Sequence, residues 1–305
     1  MLHAVIILPG GSPSMAFENV GSILRMGSPL SSFKLLLIAA YSSRPKLRPL
    51  CLFLLKPFVR NGEVLLQYRC FGREMKCFIR LSDLQSDLLS VFELGVRNAY
   101  DLDLGFRPDL VIDAGGNIGL FTLRAIAATA SVSNTPAEFV IFEPLPRNVA
   151  QIEKHLALNH VTARMMAGCL GGTHRTVPFY CREAIDSSFD PEKPYLSVLD
   201  VPVYLLSDAI GSSAAGRILI KLDIEGMEIE VLQQFVPNER RAVYIVGELH
   251  SFEVNSSIME AIFRDHGWTF EYDFIADDHA NFRACSPAAL PMLKSMASIP
   301  VTAQA

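Results

Sequence analysis

The chain has 305 residues, of which 50% are hydrophobic and 19% are charged, and its formal net charge is −5. This composition predicts a globular protein with a sizeable core and excludes an intrinsically disordered chain. The acidic balance argues against a protein that coats nucleic acid, so we expect no nucleic-acid partner.

Residues 1–60 form a basic, apolar N-terminal extension that we expect to be partly disordered. The extension carries a net charge of +6, whereas the rest of the chain carries −11. Two stretches, "KLLLIAAYSS" and "LRPLCLFLLKPFVR", predict helices, but their apolar runs, 35–41 and 50–55, do not reach the roughly 18 to 20 residues of a transmembrane span. Two interpretations stay open: helices that cover one edge of the domain, or a segment that makes peripheral contact with an anionic membrane or an acidic partner.

The cysteine pattern indicates a reducing compartment. The six cysteines include neither a C-x-x-C pair nor a spacing typical of zinc sites. In a chain of this length we therefore expect reduced, mostly buried thiols and a cytoplasmic protein.

The elements after the extension predict a hairpin across Gly72, a helix after Ser82, and then a doubly wound α/β core. From residue 109 onward, almost wholly apolar strands alternate with helices, which is typical of a mostly parallel sheet covered on both faces. "TARMMAGCL" reads as the third strand, and "WTFEYDFIA" with "NFRACS" as a final antiparallel pair. The predicted domain spans 61–285, with its core at 105–285 and a tail at 286–305.

The first strand, turn and helix of this core read "VIDAGGNIGLFTL", which contains a D-x-G-G-N-x-G turn. Ligands bind beyond the carboxyl ends of the strands in such sheets, and glycine lets the backbone approach them closely. The turn lacks the middle glycine of G-x-G-x-x-G, and Asn117 occupies part of the pocket that a pyrophosphate requires. A cofactor without phosphates, such as S-adenosylmethionine, therefore fits better than a dinucleotide.

Acidic residues end the first two strands of the core. Asp113 ends the first strand, where it can hold the amino-acid part of the cofactor. Glu143 ends the second, where it can accept hydrogen bonds from both ribose hydroxyls. Each also has a purely structural interpretation, an Asx-type turn for Asp113 and an exposed acid before Pro144 for Glu143. Because both acids end apolar strands, we favour the cofactor site.

The stretch "ILIKLDIEGMEIEVL" holds a second group of charged residues. Lys221, Asp223 and Glu225 alternate, so they share one face if the strand stays extended. They form either a local ion pair beside a helix start or a group that faces a methyl acceptor. His250 ends the next strand and is a natural general base. With Glu248 these side chains could surround a divalent cation, but their spacing is not typical of a metal site, and we predict none.

These motifs resemble, in order and spacing, the FkbM-type S-adenosylmethionine-dependent methyltransferases. The resemblance covers about residues 81–250 and rests on "VIDAGGNIGLFTL", "FEPLPRNVAQIEKHLALN", "IKLDIEGMEIEVL" and "VGELH". The glycine turn combined with K-x-D-x-E-G-x-E is far more specific than either motif alone. One departure is Gly116, where the family usually has alanine; we expect glycine there to leave the backbone freer.

The resemblance implies a class I methyltransferase fold, a Rossmann-like, doubly wound and mostly parallel sheet with an antiparallel final strand. Here a helical and hairpin extension precedes it. It also implies methyl transfer from S-adenosylmethionine to a hydroxyl of a sugar, glycolipid or secondary metabolite. The alternatives are an NAD-type oxidoreductase and a non-catalytic, membrane-associated binding module. By position, the expected cofactor-binding residues are Asp113, Gly115, Gly116, Asn117, Gly119 and Glu143, and the expected acceptor-facing residues are Asp223, Glu225 and His250.

Overall fold

Most of the chain between residues 45 and 293 is described by the computed structural model. The described residues are 30, 33–34, 36–37, 40, 45–60, 62–95, 100, 102, 105–132, 136–182, 194–211, 213–276 and 278–293. Contacts divide the chain into two units, residues 1–99 with 154–161, and residues 100–153 with 162–305. In the part that is described, no helix is both long and apolar enough to cross a lipid bilayer.

The first unit contains the hairpin expected on either side of Gly72. Its elements are helix α1 (Arg48–Leu55), strands β1 (Val59–Arg60), β2 (Glu63–Cys70) and β3 (Arg73–Arg80), and helix α2 (Leu84–Gly95). Strands β2 and β3 pair antiparallel along their whole length. Gly72 has a φ of 79°, a left-handed conformation that glycine adopts readily in a tight turn. A buried ion pair of 2.6 Å between Arg80 and Asp87 joins β3 to α2.

Helix α1 confirms most of one of the two helices predicted in the N-terminal extension, but that prediction ran on to Arg60, and Val59 and Arg60 form β1 instead. It buries Cys51 and Leu55 but leaves Leu50 54% and Phe53 70% exposed. Of the other predicted helix, the described positions 33–34, 36–37 and 40 are helical. The expectation of disorder before residue 30 falls outside the described residues. The expected contact of this extension with a membrane stays a prediction.

The second unit is built on a seven-stranded sheet. The strands of this sheet are β4 (Leu110–Ala114), β5 (Glu138–Glu143), β6 (Arg164–Ala167), β10 (Arg217–Leu222), β11 (Ala242–His250), β12 (Thr269–Ala276) and β13 (His279–Cys285). Their order is β12-β13-β11-β10-β4-β5-β6, and β13 runs in the direction opposite to that of the other six strands. This topology confirms the predicted doubly wound sheet and its final antiparallel pair.

Helices cover the sheet because its strands are apolar on both faces; every residue of β4 is buried. The helices of this unit are α3 (Leu120–Val132), α4 (Pro146–Leu158), α5 (Leu206–Ile210), α6 (Glu228–Phe235) and α7 (Phe252–Asp265). In the strand register Lys221 lies beside Asp113 on one side and beside Val246 on the other. The carboxyl ends of β4, β10 and β11 therefore lie side by side, where ligands bind in such folds.

The predicted third strand is interrupted. Residues 164–167 form β6 of the large sheet, whereas β7 (Cys169–Leu170) joins a separate three-stranded sheet with β8 (Arg175–Cys181) and β9 (Ser197–Tyr204). The break falls at Gly168, where an added Cβ would lie 2.4 Å from the carbonyl oxygen of Pro202. The chain passes too close to β9 at this point for any side chain, which explains the glycine between the two strands.

The cysteines form no disulfide. All six are free, and all except Cys181 are buried. This agrees with the thiol state expected from the sequence, while the cytoplasmic location stays a prediction.

Candidate functional site

The glycine turn follows β4 and passes very close to the end of β10. Gly115 has a φ of 81°, and a Cβ at this position would lie 1.9 Å from the carbonyl oxygen of Asp223. Glycine is therefore required both by the backbone conformation and by the space available. The turn and the second motif, about a hundred residues apart in sequence, meet at this point.

Gly116 has a different role from the one expected. It is not among the glycines with a positive φ, and an added Cβ would lie 2.5 Å from Cγ2 of Ile141 and 3.2 Å from Cδ1 of Ile152. Close packing of the turn on β5 and α4, rather than backbone freedom, explains this glycine. Gly119 also packs against Ile152, with a φ of 80°.

The N–H groups of the turn are used within the protein. Those of Gly115 and Gly116 donate to the carbonyl oxygen of Phe142 at 3.0 and 2.9 Å, and that of Gly119 donates to Gly116 at 2.7 Å. The N–H of Asn117, whose φ is 48°, donates to Oε2 of Glu143 at 2.7 Å. A pyrophosphate needs free N–H groups at such a turn, and these four are already engaged.

Glu143 is held at the end of β5 by three hydrogen bonds. Besides the bond from Asn117, its Oε1 accepts the N–H of Leu145 at 3.0 Å and the side-chain amide of Asn148 at 3.2 Å. The side chain is buried rather than exposed, in contrast to its structural interpretation from sequence. Burial raises the pKa of Glu143 to about 7 although these hydrogen bonds lower it.

Asp113 is also buried, and its two carboxylate oxygens differ. Oδ2 accepts a hydrogen bond of 2.6 Å from the hydroxyl of Thr122, which lies in α3. Oδ1 has no hydrogen-bond partner among the described residues and lies 3.8 Å from Nζ of Lys221. Burial raises the pKa of Asp113, against the opposing effects of Lys221 and Thr122.

Lys221 connects the turn to the second motif. Its Nζ donates to the carbonyl oxygen of Gly115 at 2.5 Å and forms an ion pair of 3.1 Å with Oδ2 of Asp223. The same carboxylate oxygen accepts a hydrogen bond of 3.0 Å from the hydroxyl of Tyr100. Burial alone would lower the pKa of Lys221, but the charges of Asp223 and Asp113 raise it, and the pKa of Asp223 is lowered in return.

His250 lies at the end of β11 among carboxylates. Its Nδ1 is 3.0 Å from Oε1 of Glu228, whose side chain is fully buried. Its Nε2 faces Oε2 of Glu225 at 3.6 Å and Oε1 of Glu248 at 3.8 Å. The structure thus brings together the three acceptor-facing residues predicted from sequence, and ligand atoms of Asp223, Glu225 and His250 all lie within 4.8 Å of one another.

Burial and neighbouring charges raise the pKa values of two residues in this group, Glu225 and His250. Burial and the neighbouring carboxylates raise the pKa of Glu225 to about 8, against the effect of His250. Burial lowers the pKa of His250, but its hydrogen bond with Glu228 and the surrounding acids raise it to about 10. A protonated imidazole donates a proton rather than accepting one. The role of His250 as general base, which stays a prediction, therefore requires that this proton leave first.

Two residues of the site were not predicted from sequence. Tyr100, which donates to Asp223, precedes it by 123 residues, and no local pattern links them. Glu228 reads as an ordinary acid in the first turn of a helix, and only the fold reveals that it orients His250. The ion pair of Lys221 with Asp223 was one interpretation of the sequence and is confirmed.

Comparison with known proteins supports this arrangement of motifs. Residues 113–272, a little over half of the chain, match the sequence model of the family described as Methyltransferase FkbM domain. The match begins at Asp113 and includes every acceptor-facing residue named above. No curated protein matches the chain.

Several solved structures resemble the chain at low sequence identity. The methyltransferase FkbM of Methylobacillus flagellatus is 13% identical, with a TM-score of 0.39; the alignment covers 67% of this chain and 54% of that one, so this chain spans about half of that relative. The 16S rRNA N2 G1207 methyltransferase of T. thermophilus, solved with AdoMet and guanosine, is 13% identical, with 84% and 69% covered and a TM-score of 0.38. TYW2 of M. jannaschii, solved with AdoMet, is 11% identical, with 75% and 86% covered and a TM-score of 0.39.

Proposed function

The chain belongs to the FkbM methyltransferase family, and from this premise we propose that it transfers a methyl group from S-adenosylmethionine to a hydroxyl oxygen. The acceptor class that we propose is a sugar, a glycolipid or a secondary metabolite. The choice of cofactor rests on two observations. The N–H groups of the glycine turn donate hydrogen bonds within the protein, and Glu143 ends β5.

The residues present fit S-adenosylmethionine better than a dinucleotide. Because the N–H groups of Gly115, Gly116, Asn117 and Gly119 donate within the protein, the turn offers little to a pyrophosphate. A ribose hydroxyl needs an acceptor, and Oε2 of Glu143 accepts the N–H of Asn117 and has a second lone pair for such a bond. The unsatisfied Oδ1 of Asp113 gives the cofactor's ammonium group a buried partner. The NAD-type alternative is therefore disfavoured.

When bound, S-adenosylmethionine supplies an activated methyl group, whose bond to sulfur breaks as a bond to the acceptor oxygen forms, leaving S-adenosylhomocysteine and an ether. Residues of this chain would align the acceptor and remove its hydroxyl proton. Asp223, Glu225 and His250 lie at the neighbouring strand ends and face the acceptor in this proposal. The carboxylate of Asp223 is held in place by Lys221 and Tyr100, which lower its pKa, so it would position the acceptor as a fixed negative charge.

Calorimetry with the full chain tests the cofactor assignment. We expect binding of S-adenosylmethionine and none of NAD⁺. The Asp113→Asn variant removes the charge that faces the cofactor, and should bind S-adenosylmethionine about 10- to 100-fold more weakly, the usual effect of losing a hydrogen bond to a charged group. Asp109→Asn, at the opposite end of the same strand, is the matched control and should bind normally. Unchanged affinity in Asp113→Asn, or preferential binding of NAD⁺, would contradict the proposal.

A transfer assay tests the acceptor class. The full chain would be incubated with S-adenosylmethionine labelled in its methyl group and with sugars, glycolipids and hydroxylated polyketides, and parallel reactions would contain amines. We expect the label in an ether, recovered by chromatography and located by mass spectrometry. Label found only in amine products would refute O-methylation while leaving methyl transfer intact.

A further inference from the structure

The imidazole of His250 faces a group of oxygen atoms at distances that hydrogen bonds do not explain. Its Nε2 lies 3.6 Å from Glu225 and 3.8 Å from Glu248, beyond the usual range of a hydrogen bond. Donor atoms bound to one cation at about 2.1 Å lie roughly 3.0 to 4.2 Å apart. The spread of the donor atoms of Asp223, Glu225 and His250, all within 4.8 Å, is close to that range.

The orientation of His250 is fixed from the opposite side of its ring. Oε1 of Glu228 accepts the backbone N–H groups of Ile224 at 3.2 Å and Gly226 at 3.1 Å, so it acts as an acceptor toward Nδ1 of His250 as well. A proton on Nδ1 directs Nε2 into the group of carboxylates. A buried carboxylate that orients a histidine in this way is typical of metal sites, where it fixes the tautomer of the ligand.

Acidic side chains outnumber basic ones around His250. Four carboxylates, those of Asp223, Glu225, Glu228 and Glu248, surround His250, and Oε2 of Glu228 is buried without a hydrogen-bond partner among the described residues. Lys221 is already bound to Asp223 and to the carbonyl oxygen of Gly115. His279 lies on the far side of Glu248, at 3.7 Å. A bound cation would balance the acidic side chains of this half-buried cluster.

We propose that Asp223, Glu225 and His250 bind one divalent transition-metal ion, such as Mn²⁺ or Zn²⁺, at the carboxyl ends of β10 and β11. One imidazole with two carboxylates suits these ions better than Ca²⁺ or Mg²⁺, which prefer oxygen ligands alone. Three protein ligands leave coordination positions open. The sequence spacing gave no reason to expect this site, because the three ligands come together only through the register of β10 and β11.

The role of the ion rests on the proposed methyl transfer. An acceptor with two neighbouring oxygen atoms, such as a vicinal diol of a sugar, could occupy two open positions of the ion at once. The ion would lower the pKa of the coordinated hydroxyl. The hydroxyl proton would pass to a carboxylate that is not a ligand of the ion, and the acceptor oxygen would bond to the methyl carbon as the methyl–sulfur bond breaks and S-adenosylhomocysteine leaves. Substrate class and metal site are thereby linked: single, isolated hydroxyls should be poor acceptors.

Metal binding can be measured directly on the full chain. After treatment with EDTA and its removal, Mn²⁺ would be titrated and free ion followed by electron paramagnetic resonance, with Zn²⁺ counted by elemental analysis. We expect one ion per chain. Loss of binding is expected in His250→Ala and in Glu225→Gln. Glu228→Gln, which alters the acceptor that orients His250 and binds the N–H groups of Ile224 and Gly226, should weaken binding by about 10- to 100-fold. His266→Ala and Glu253→Gln, outside the group, should bind as the unmodified chain does.

Several outcomes would overturn the inference. They are the absence of Mn²⁺ and Zn²⁺ binding by the folded, unmodified chain, or unchanged binding in His250→Ala. Circular dichroism melts of each variant exclude unfolding as the cause of a loss. Calorimetry with S-adenosylmethionine in EDTA separates this inference from the proposed function. If the chain does not bind the cofactor, the proposed function is refuted, but the measured number of bound ions per chain still tests the metal site. Methyl transfer that continues unchanged in EDTA would refute the role given to the ion.

Discussion

The carboxyl ends of β5 and β11 both present a buried or half-buried ionisable group, but the two groups are satisfied differently. Glu143 accepts three hydrogen bonds from the turn and from the start of α4. Among the described residues, the ring of His250 has a hydrogen bond on Nδ1 alone, and its Nε2 faces carboxylates at 3.6 Å and more. The first region is organised by internal hydrogen bonds, whereas the second is a cluster in which acidic groups outnumber basic ones.

This difference indicates how the two regions would bind the ligands proposed for them. A turn whose N–H groups are engaged internally has a fixed shape and selects a cofactor by complementarity. A group of like charges selects by electrostatics, and it gains the most when a cation or a developing charge arrives. Lys221 belongs to both regions, since it contacts the turn at Gly115 and the charged group at Asp223.

Replacement of Lys221 by methionine should have the largest effect on stability. The variant leaves Asp113 and Asp223 without their buried cation, and loss of one partner of a buried ion pair typically costs about 3 to 5 kcal/mol. Urea denaturation followed by circular dichroism measures this loss. Lys76→Met is the matched control, because Lys76 forms an exposed ion pair with Glu74 and should change the unfolding free energy by less than about 1 kcal/mol. Equal effects of the two substitutions would show that Lys221 does not join the regions.

The sequence predicted the scaffold of the first region well, for physical reasons. Apolar runs define the strands, and acids at their ends and glycines after them mark the carboxyl edge of the sheet, so Asp113 and Glu143 could be assigned from local pattern. The internal use of the turn N–H groups could not be predicted, because Phe142 and Glu143 reach the turn only through the pairing of β4 and β5.

The second region was less predictable because its properties arise from charges that meet through the fold. Lys221, Asp223 and Glu225 are neighbours in sequence, but Tyr100 and His250 come from distant segments. The raised pKa of His250 depends on Glu228 and on burial, neither of which is visible in "VGELH". The glycine at the break of the third strand, Gly168, is a similar case, since it is explained by the approach of β9.

The titration of Glu143 should make stability depend on pH. Its pKa is about 7 in the folded protein and near 4.5 in the unfolded chain. Between these values the folded state binds the extra proton, so the unfolding free energy falls as the pH rises from about 4.5 to about 7 and then levels off. A shift of this size corresponds to about 3 kcal/mol. Denaturation curves recorded across this range measure the loss.

The Glu143→Gln variant isolates this contribution. It cannot titrate, so its unfolding free energy should change with pH less steeply than that of the unmodified chain in the same window. Its amide nitrogen would face an N–H donor of Asn117, Leu145 or Asn148, so we expect lower stability at acidic pH as well. Glu138→Gln, an exposed acid at the other end of β5, should leave the slope unchanged. Parallel pH profiles for Glu143→Gln and the unmodified chain would contradict the assignment.

The smallest expected change in unfolding free energy comes from the close approach of the turn to the end of β10. Comparing Gly115→Ala with Gly72→Ala tests it. The two glycines have nearly the same φ, 81° and 79°, so an alanine costs about 1 to 2 kcal/mol at either position from backbone conformation alone. They differ in surroundings: a Cβ at Gly115 would lie 1.9 Å from the carbonyl oxygen of Asp223, whereas a Cβ at Gly72 meets nothing within 4 Å.

The excess destabilisation of Gly115→Ala over Gly72→Ala therefore measures the steric contact between the two regions, which we expect to be about 1 to 3 kcal/mol. Because the turn must move away from Asp223 to admit the methyl group, both ligands report on the displacement. S-adenosylmethionine affinity should fall in Gly115→Ala and stay unchanged in Gly72→Ala, and Mn²⁺ affinity should follow the same pattern if Asp223 is a ligand. A loss of cofactor affinity with full retention of metal binding would mean that the two regions are adjacent but energetically independent.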